Sequence, residues 1–247
     1  MIDREHHLLQ TAKGPVQYER LILATGSVPT KPGIPGVETP GVFTILKDVD
    51  YLEGLQRSLQ KAKDVVIIGG GFIGIEFADE INKIDGKSVT VVELAANCLS
   101  LSYDAEFCTE MEERLRSRGV VVRTVARVER ITGNGHVTGV ELKDGTRLAA
   151  DVVILGIGAR ANVDLAKAAG LRLGLTGSIA VDRTMQTSDP AIFACGDCAE
   201  KISFFGGGPS PLKLASIAQL EARIAGCLLY TSPSPRDRTR SRMPSSA

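Results

Sequence analysis

The chain has 247 residues, 43% hydrophobic and 23% charged, and its 29 basic and 29 acidic side chains cancel to zero net charge. That balance excludes disordered and collagen-like classes, and it gives no electrostatic reason to bind nucleic acid or an anionic membrane. No apolar run reaches the length of a membrane span, Met1 to Glu5 is no signal peptide, and five cysteines make a poor disulphide framework for a chain this long, so a cytoplasmic protein with reduced thiols is expected.

In chain order, His6 to Gln10 and Val16 to Leu23 read as a strand pair about the turn Lys13-Gly14-Pro15. No βαβ unit precedes them, so the chain is expected to begin inside a domain. Leu21-Ile22-Leu23 then empties into Ala24-Thr25-Gly26-Ser27 and a loop punctuated by Pro29, Pro32, Pro35 and Pro40. A buried strand ending in a glycine turn can bring backbone close to a ligand, and equally it can be an ordinary strand end. After Asp48, Leu52, Leu55 and Leu59 form one apolar helical stripe.

The chain is organised around residues 64–93. Asp64-Val65-Val66-Ile67-Ile68 is a short β-branched run leading into Gly69-Gly70-Gly71-Phe72-Ile73-Gly74 and a helical pattern. Strand, glycine turn and helix in that order open a dinucleotide-binding βαβ unit. Gly69 suits the tight turn, Gly71 the backbone approach to a pyrophosphate, and Gly74 close helix–strand contact, while the helix start supplies amides and a positive dipole end to the diphosphate. A second strand, Ser88 to Val92, ends at Glu93, the offset at which a ribose-reading carboxylate falls. Glu93 can accept from ribose hydroxyls but repels a 2′-phosphate, and Leu94-Ala95-Ala96-Asn97 offers no arginine to hold one. NAD is therefore favoured over NADP.

Further on, Phe107, Met111 and Leu115 recur at helical spacing and predict a core face, with Gly119 as the stop. Val120 to Val122, Ala126 to Ile131, Val137 to Leu142 and Thr146 to Leu148 read as short strands turned by Asn134-Gly135 and Asp144-Gly145. The buried strand Asp151 to Leu155 delivers Gly156-Ile157-Gly158, where ligands sit in open α/β sheets. A short helix over Leu165 to Ala169 ends at Gly170, Ile179 to Val181 reads as a strand, and Ile192 to Cys195 delivers Gly196-Asp197. An acidic residue just past a buried strand needs donors, which a sugar-like ligand would provide. Leu212 to Ala225 reads as a helix entered through Pro209 and Pro211. Thr231 to Arg242 has no apolar periodicity, and residues 227–247 resemble a read-through of a sequencing adapter, so they are set aside as a disordered artefact.

Ala24-Thr25-Gly26, Gly69 to Gly74 with Glu76, Gly156-Ile157-Gly158, and Met185 to Ser188 followed by Ile192 to Asp197 form one ordered set. That set resembles the FAD-dependent pyridine nucleotide-disulphide oxidoreductase family, especially its NADH oxidase and CoA-disulphide reductase branch, over nearly all of Ile2 to Gly226. The resemblance implies an α/β fold of two Rossmann-like three-layer nucleotide-binding domains, with an NAD domain (48–158) inserted into an incomplete FAD domain (1–47 and 159–226). It implies that Ala24, Thr25 and Gly26 approach the flavin nucleotide, that Gly196 and Asp197 hold the ribityl chain, and that Leu214, Ala215 and Ser216 aim helix amides at the flavin ring. Gly156 and Gly158 would lie beside the nicotinamide half of NAD, and Glu76 would face the reacting rings. The implied chemistry is hydride transfer from NADH to FAD, and on to a disulphide, dioxygen or a redox protein such as rubredoxin.

The departures are part of the resemblance. The family's first glycine fingerprint, its redox cysteine and its carboxyl-terminal dimer domain are expected to lie outside this sequence, so no catalytic residue is assigned within the chain. The full-length protein is expected to be a homodimer, and this piece alone to be inactive. Cys195-x-x-Cys198 has the spacing of a redox dithiol, yet it encloses the flavin-contact pair Gly196-Asp197, so packing is the preferred reading. His6, His7 and His136 have no partner spacing for a metal site. The competing reading, from a different class, is a non-catalytic NAD-binding module; a rubredoxin or ferredoxin reductase is the nearer variant of the first.

Overall fold

The computed structural model describes residues 1–203 and 205–230. They form two compact units, Pro29–Ala159 and a discontinuous one made of Met1–Val28 with the chain from Arg160 onward. The second crossing falls one residue from the expected boundary, but the first comes at 28/29 rather than 47/48. The reason is Val42–Thr44, which pairs in parallel with Val152–Leu155 and so takes the proline loop and helix α1 (Val49–Lys61) into the Pro29–Ala159 unit.

That unit is built on a five-stranded, wholly parallel sheet in the order Val42–Thr44, Val152–Leu155, Asp64–Ile68, Ser88–Val92, Val121–Arg123. The central strand Asp64–Ile68 is buried on both faces, which is why it reads as an unbroken apolar run rather than an alternating one. Its Val65 and Ile67 pack towards α1, α2 (Phe72–Asn82) and α3 (Ala105–Ser117). Val66 and Ile68 face the antiparallel meander Val128–Gly133, Val137–Leu142, Arg147–Ala149. Helices, sheet and meander make three layers.

Asp48 caps α1 by accepting from the Tyr51 N–H at 2.8 Å, and Leu55 and Leu59 are buried as expected while Leu52 lies at the surface. In α3 the expected face is offset by one position. Phe107 is 58% exposed and Met111 37%, whereas Cys108, Glu112 and Leu115 are buried. The helical period was legible, but its phase was not, because a glutamate occupies the inward stripe.

The other unit packs around Ile2, Leu23, Ile179, Ile192 and Ala194. Its parallel pair, Leu21–Leu23 with Ile192–Ala194, brings the Ala24-Thr25-Gly26 and Gly196-Asp197 turns to the same end. The expected strand from Val16 to Leu23 is two strands, since Gly14–Gln17 belongs to an antiparallel sheet with Ile2–Asp3 and Leu8–Thr11. Ile179–Val181 makes only isolated bridges, to Leu173 and Ala199. Helix α4 spans Asp164–Ala168, and α5 spans Ala215–Tyr230, beginning later than expected and running past Gly226 into the segment set aside as an artefact. The rest of that segment lies outside the described residues.

Candidate functional site

In the Pro29–Ala159 unit the chain leaves Asp64–Ile68 for Ser88–Val92 on one side, while Val152–Leu155 lies on the other. This is a topological switch point, and the crevice it opens at the carboxyl ends of the strands is where α/β sheets take ligands. Gly69 and Gly156 line it, each tied to the neighbouring strand: the Gly69 N–H donates to Val92 O and the Gly156 N–H to Ile68 O, both at 2.8 Å.

Each glycine of the turn has a separate steric reason. Gly69 has φ +108°, and a Cβ there would stand 2.6 Å from Gly156 O. A Cβ on Gly74 would run into Gly69 O, and Gly156 in turn abuts Gly74. A Cβ on Gly70 would meet Cys98 Sγ at 2.5 Å. Gly71 differs, because nothing lies within 4 Å of its Cβ position. It is the N-cap of α2, with no side-chain cap and no acidic residue in the first turn. The amides at the start of α2 have no acceptor one turn earlier, so they and the dipole end favour an anion in the open space beside Gly71. The arrangement fits a pyrophosphate: backbone closes the floor, and the one position where a side chain would intrude on a ligand carries none.

Glu93 is half-buried at the end of its strand. Its Oε2 accepts from the Gly70 N–H at 2.5 Å and its Oε1 from the Ala95 N–H at 2.7 Å. Two charge-assisted bonds hold the carboxylate against the turn, and each oxygen keeps a lone pair for a hydroxyl donor. Phe72 and Tyr103 meet edge to face at 5.8 Å beside the start of α2, and Glu76, one turn further in, is exposed. Gly158 is exposed with φ +89°.

The sequence marks Cys98 as a structural cysteine but does not show that it supports the turn. Cys98 is fully buried beneath Gly70, and its thiol is pushed up to about 12, by burial first and then by the charges of Glu112 and Glu93. It therefore stays protonated and serves as packing.

In the other unit the two turns are locked by polar contacts. Thr25 Oγ1 donates to Asn162 O at 2.6 Å, and Asn162 returns its N–H to Gly26 O at 2.9 Å. Gly196-Asp197-Cys198 is one 3-10 turn with Gly196 at φ +76°, and Asp197 Oδ2 accepts from Ser27 Oγ at 2.7 Å. Beneath it lies a buried ion pair with no sequence signal: Lys201 Nζ donates to Gly196 O at 2.7 Å, while Glu221 Oε2 accepts from the Gly196 N–H at 2.8 Å and from Lys201 at 3.3 Å. Leu214, Ala215 and Ser216 are exposed at the start of α5. Cys195 and Cys198 are buried free thiols. Cys198 Sγ donates to the carbonyls of Leu23 and Cys195, and burial raises the Cys195 thiol, a packing role rather than that of a reactive dithiol. Among the described residues no cluster of three or more metal-ligating side chains occurs, and no helix is long and apolar enough to cross a membrane.

Known proteins share this arrangement. The chain is 34% identical to a rubredoxin-NAD(+) reductase of Pseudomonas putida over 219 residues, 88% of this chain and 56% of that one. A NAD-dependent persulfide reductase from A. fulgidus superposes with a TM-score of 0.88 at 33% identity, over 92% of this chain and 43% of that one. A ferredoxin reductase from Rhodopseudomonas palustris does so with a TM-score of 0.87 at 36% identity, over 94% and 57%. The chain thus spans about half the length of the proteins it matches. A family model described as pyridine nucleotide-disulphide oxidoreductase matches residues 2–222, and the chain belongs to that family.

Proposed function

We propose that the chain is part of a flavoprotein that takes hydride from NADH, with the Pro29–Ala159 unit as its NADH site and the other unit as part of its FAD site. The observation that carries the reading is the glycine turn at the switch point, closed by backbone at Gly69 and Gly74, by the Cys98 side chain at Gly70, and open at Gly71. The α2 amides would hold the pyrophosphate, Glu93 the ribose hydroxyls, and Gly156, Gly158 and Glu76 the nicotinamide half. In the other unit, Ala24 to Gly26, Gly196 and Asp197 would meet the flavin nucleotide, with the start of α5 at Leu214, Ala215 and Ser216 directed to its ring. When bound, NADH supplies a hydride at nicotinamide C4 and FAD accepts it at N5. The protein's part is to fix the two rings and exclude water.

The acceptor beyond FAD would be a disulphide, dioxygen or a small redox protein, and the rubredoxin and ferredoxin reductases among the similar proteins favour the last of these. The balanced charge gives no electrostatic reason for nucleic-acid or anionic-membrane partners; a cytoplasmic location and a full-length homodimer are part of the same proposal and rest on the family resemblance. A second reading, a non-catalytic NAD-binding module, is favoured by one feature: the Pro29–Ala159 unit has a complete sheet and core of its own.

Titration with NADH, followed by nicotinamide fluorescence, tests the shared part of both readings, and lack of saturable binding would refute them. The visible absorption of the purified full-length protein that contains this chain separates the two, since this piece alone is expected to be inactive. Flavin bands that persist through gel filtration, and bleach on NADH addition, support the oxidoreductase. Colourless protein that binds NADH supports the module.

A further inference from the structure

The glycine turn is held from below by a residue that touches no part of the nucleotide site. Glu112 lies on the inward face of α3, 4% exposed, where its neighbours on the same face are Cys108 and Leu115. Its Oε1 accepts from the backbone N–H of Cys98 at 2.9 Å and from Asn97 Nδ2 at 3.4 Å, and its Oε2 accepts from Arg116 Nη2 at 3.0 Å. A leucine at this position would serve packing equally well. The carboxylate is needed for the amide of Cys98.

From there the contacts run into the turn. Leu99 donates its N–H to Gly70 O at 2.9 Å, Cys98 Sγ fills the space over the Gly70 Cα, and Gly70 donates to Glu93. Leu99 holds φ 60°, a left-handed conformation that leucine rarely adopts, so the strap over residues 97–99 is bent against its own preference and needs an external restraint. Buried carboxylates persist only when their oxygens are satisfied, and here the satisfying groups are the strap itself and one arginine.

We propose that Glu112 is a positioning residue of the dinucleotide site: by fixing the 97–99 strap on Gly70 it sets where Glu93 meets the ribose, and so governs the choice between NADH and NADPH. This rests on the dinucleotide reading of the glycine turn. Truncating Glu112 frees the strap, lets Gly70 and Glu93 drift, and blunts the discrimination that depends on a carboxylate held at one place.

The test uses the full chain and its Glu112→Ala and Glu112→Gln variants, each titrated with NADH and with NADPH below its unfolding transition. Gln keeps one acceptor oxygen for the Cys98 amide. Glu112→Ala is expected to weaken NADH binding about tenfold, because the strap and Glu93 must then be ordered when the nucleotide binds, and to narrow the NADH over NADPH preference, with Gln restoring most of both. A residue that merely supports the fold would lower the melting temperature and weaken both nucleotides alike, so an unchanged preference in the folded variants overturns the inference. Should the alanine variant fail to fold, Glu112→Gln is read beside Arg116→Met, which releases the other oxygen. A smaller shift of preference in the same direction supports the role, and none in either overturns it. Absence of binding by the unsubstituted chain refutes the dinucleotide reading itself and this inference with it.

Discussion

On the proposed reading, Glu93 serves the scaffold and the ligand together. Its oxygens already accept from Gly70 and Ala95, so the carboxylate is in place before a nucleotide arrives and little ordering is left to be done on binding. Glu93→Arg should reverse the cofactor preference, weakening NADH on the order of tenfold and strengthening NADPH, because the guanidinium exchanges repulsion of the 2′-phosphate for attraction. Paired equilibrium titrations check this, and an unchanged NADH:NADPH ratio would count against the assigned role. The buried pair beneath Gly196 makes a prediction of another kind. Lys201→Met leaves Glu221 charged and without its cation in a site where both side chains are under 10% exposed, and should cost about 3–5 kcal/mol of stability, measured as a shift in urea midpoint. Replacing both residues with methionine should recover part of that loss.

At the scale of elements, what the sequence disclosed and what it hid have physical causes. Residues 64–93 were legible because three signals coincide: a doubly buried strand has an unbroken apolar run, a phosphate turn excludes Cβ atoms, and the acidic residue falls at the end of the next strand. The face of α3 was illegible because Glu112 breaks the apolar stripe, and its reason for being inside lies in the distant strap at Cys98. The Pro29–Ala159 unit begins ahead of the expected boundary because Val42–Thr44 joins the sheet through a partner more than a hundred residues later, at Val152–Leu155. No local pattern reports such a pairing. Lys201 and Glu221 were hidden likewise, since each reads as a surface charge until the fold brings them together. A smaller device at the other end of the sheet sets an acid response. The amides of Asp64 and Lys63 donate to Asp151 and hold its carboxyl below the usual aspartate range. With the folded value lowered, the contribution is full above the ordinary value of about 3.9 and is lost as pH falls through the folded one. Asp151→Ala should therefore destabilise the chain at pH 7 and make little difference near pH 2, compared by urea unfolding at the two pH values.

For the molecule as a whole, the two units carry different shares of the proposed activity. The Pro29–Ala159 unit holds every group assigned to NADH and has cores on both faces of its sheet. The other unit would supply a parallel strand pair with its two turns, and the start of α5, to the proposed flavin site. The first should therefore behave as a protein in its own right. A polypeptide of residues 29–159 alone should fold, and NADH at a hundred times its Kd should stabilise it by about 2.7 kcal/mol. Thermal melts with and without the nucleotide check both statements.

The way this unit is entered and left has a last consequence. Thr30 donates its N–H to Gly158 O at 3.0 Å, so the two ends of a stretch of some 130 residues are fastened side by side. To the remainder of the polypeptide such a module is topologically no larger than a tight loop. It could be lifted out, its ends sealed with a few residues and new termini opened elsewhere, or it could be grafted onto a surface turn of an unrelated host, which would thereby acquire a nucleotide pocket without redesign of its own interior.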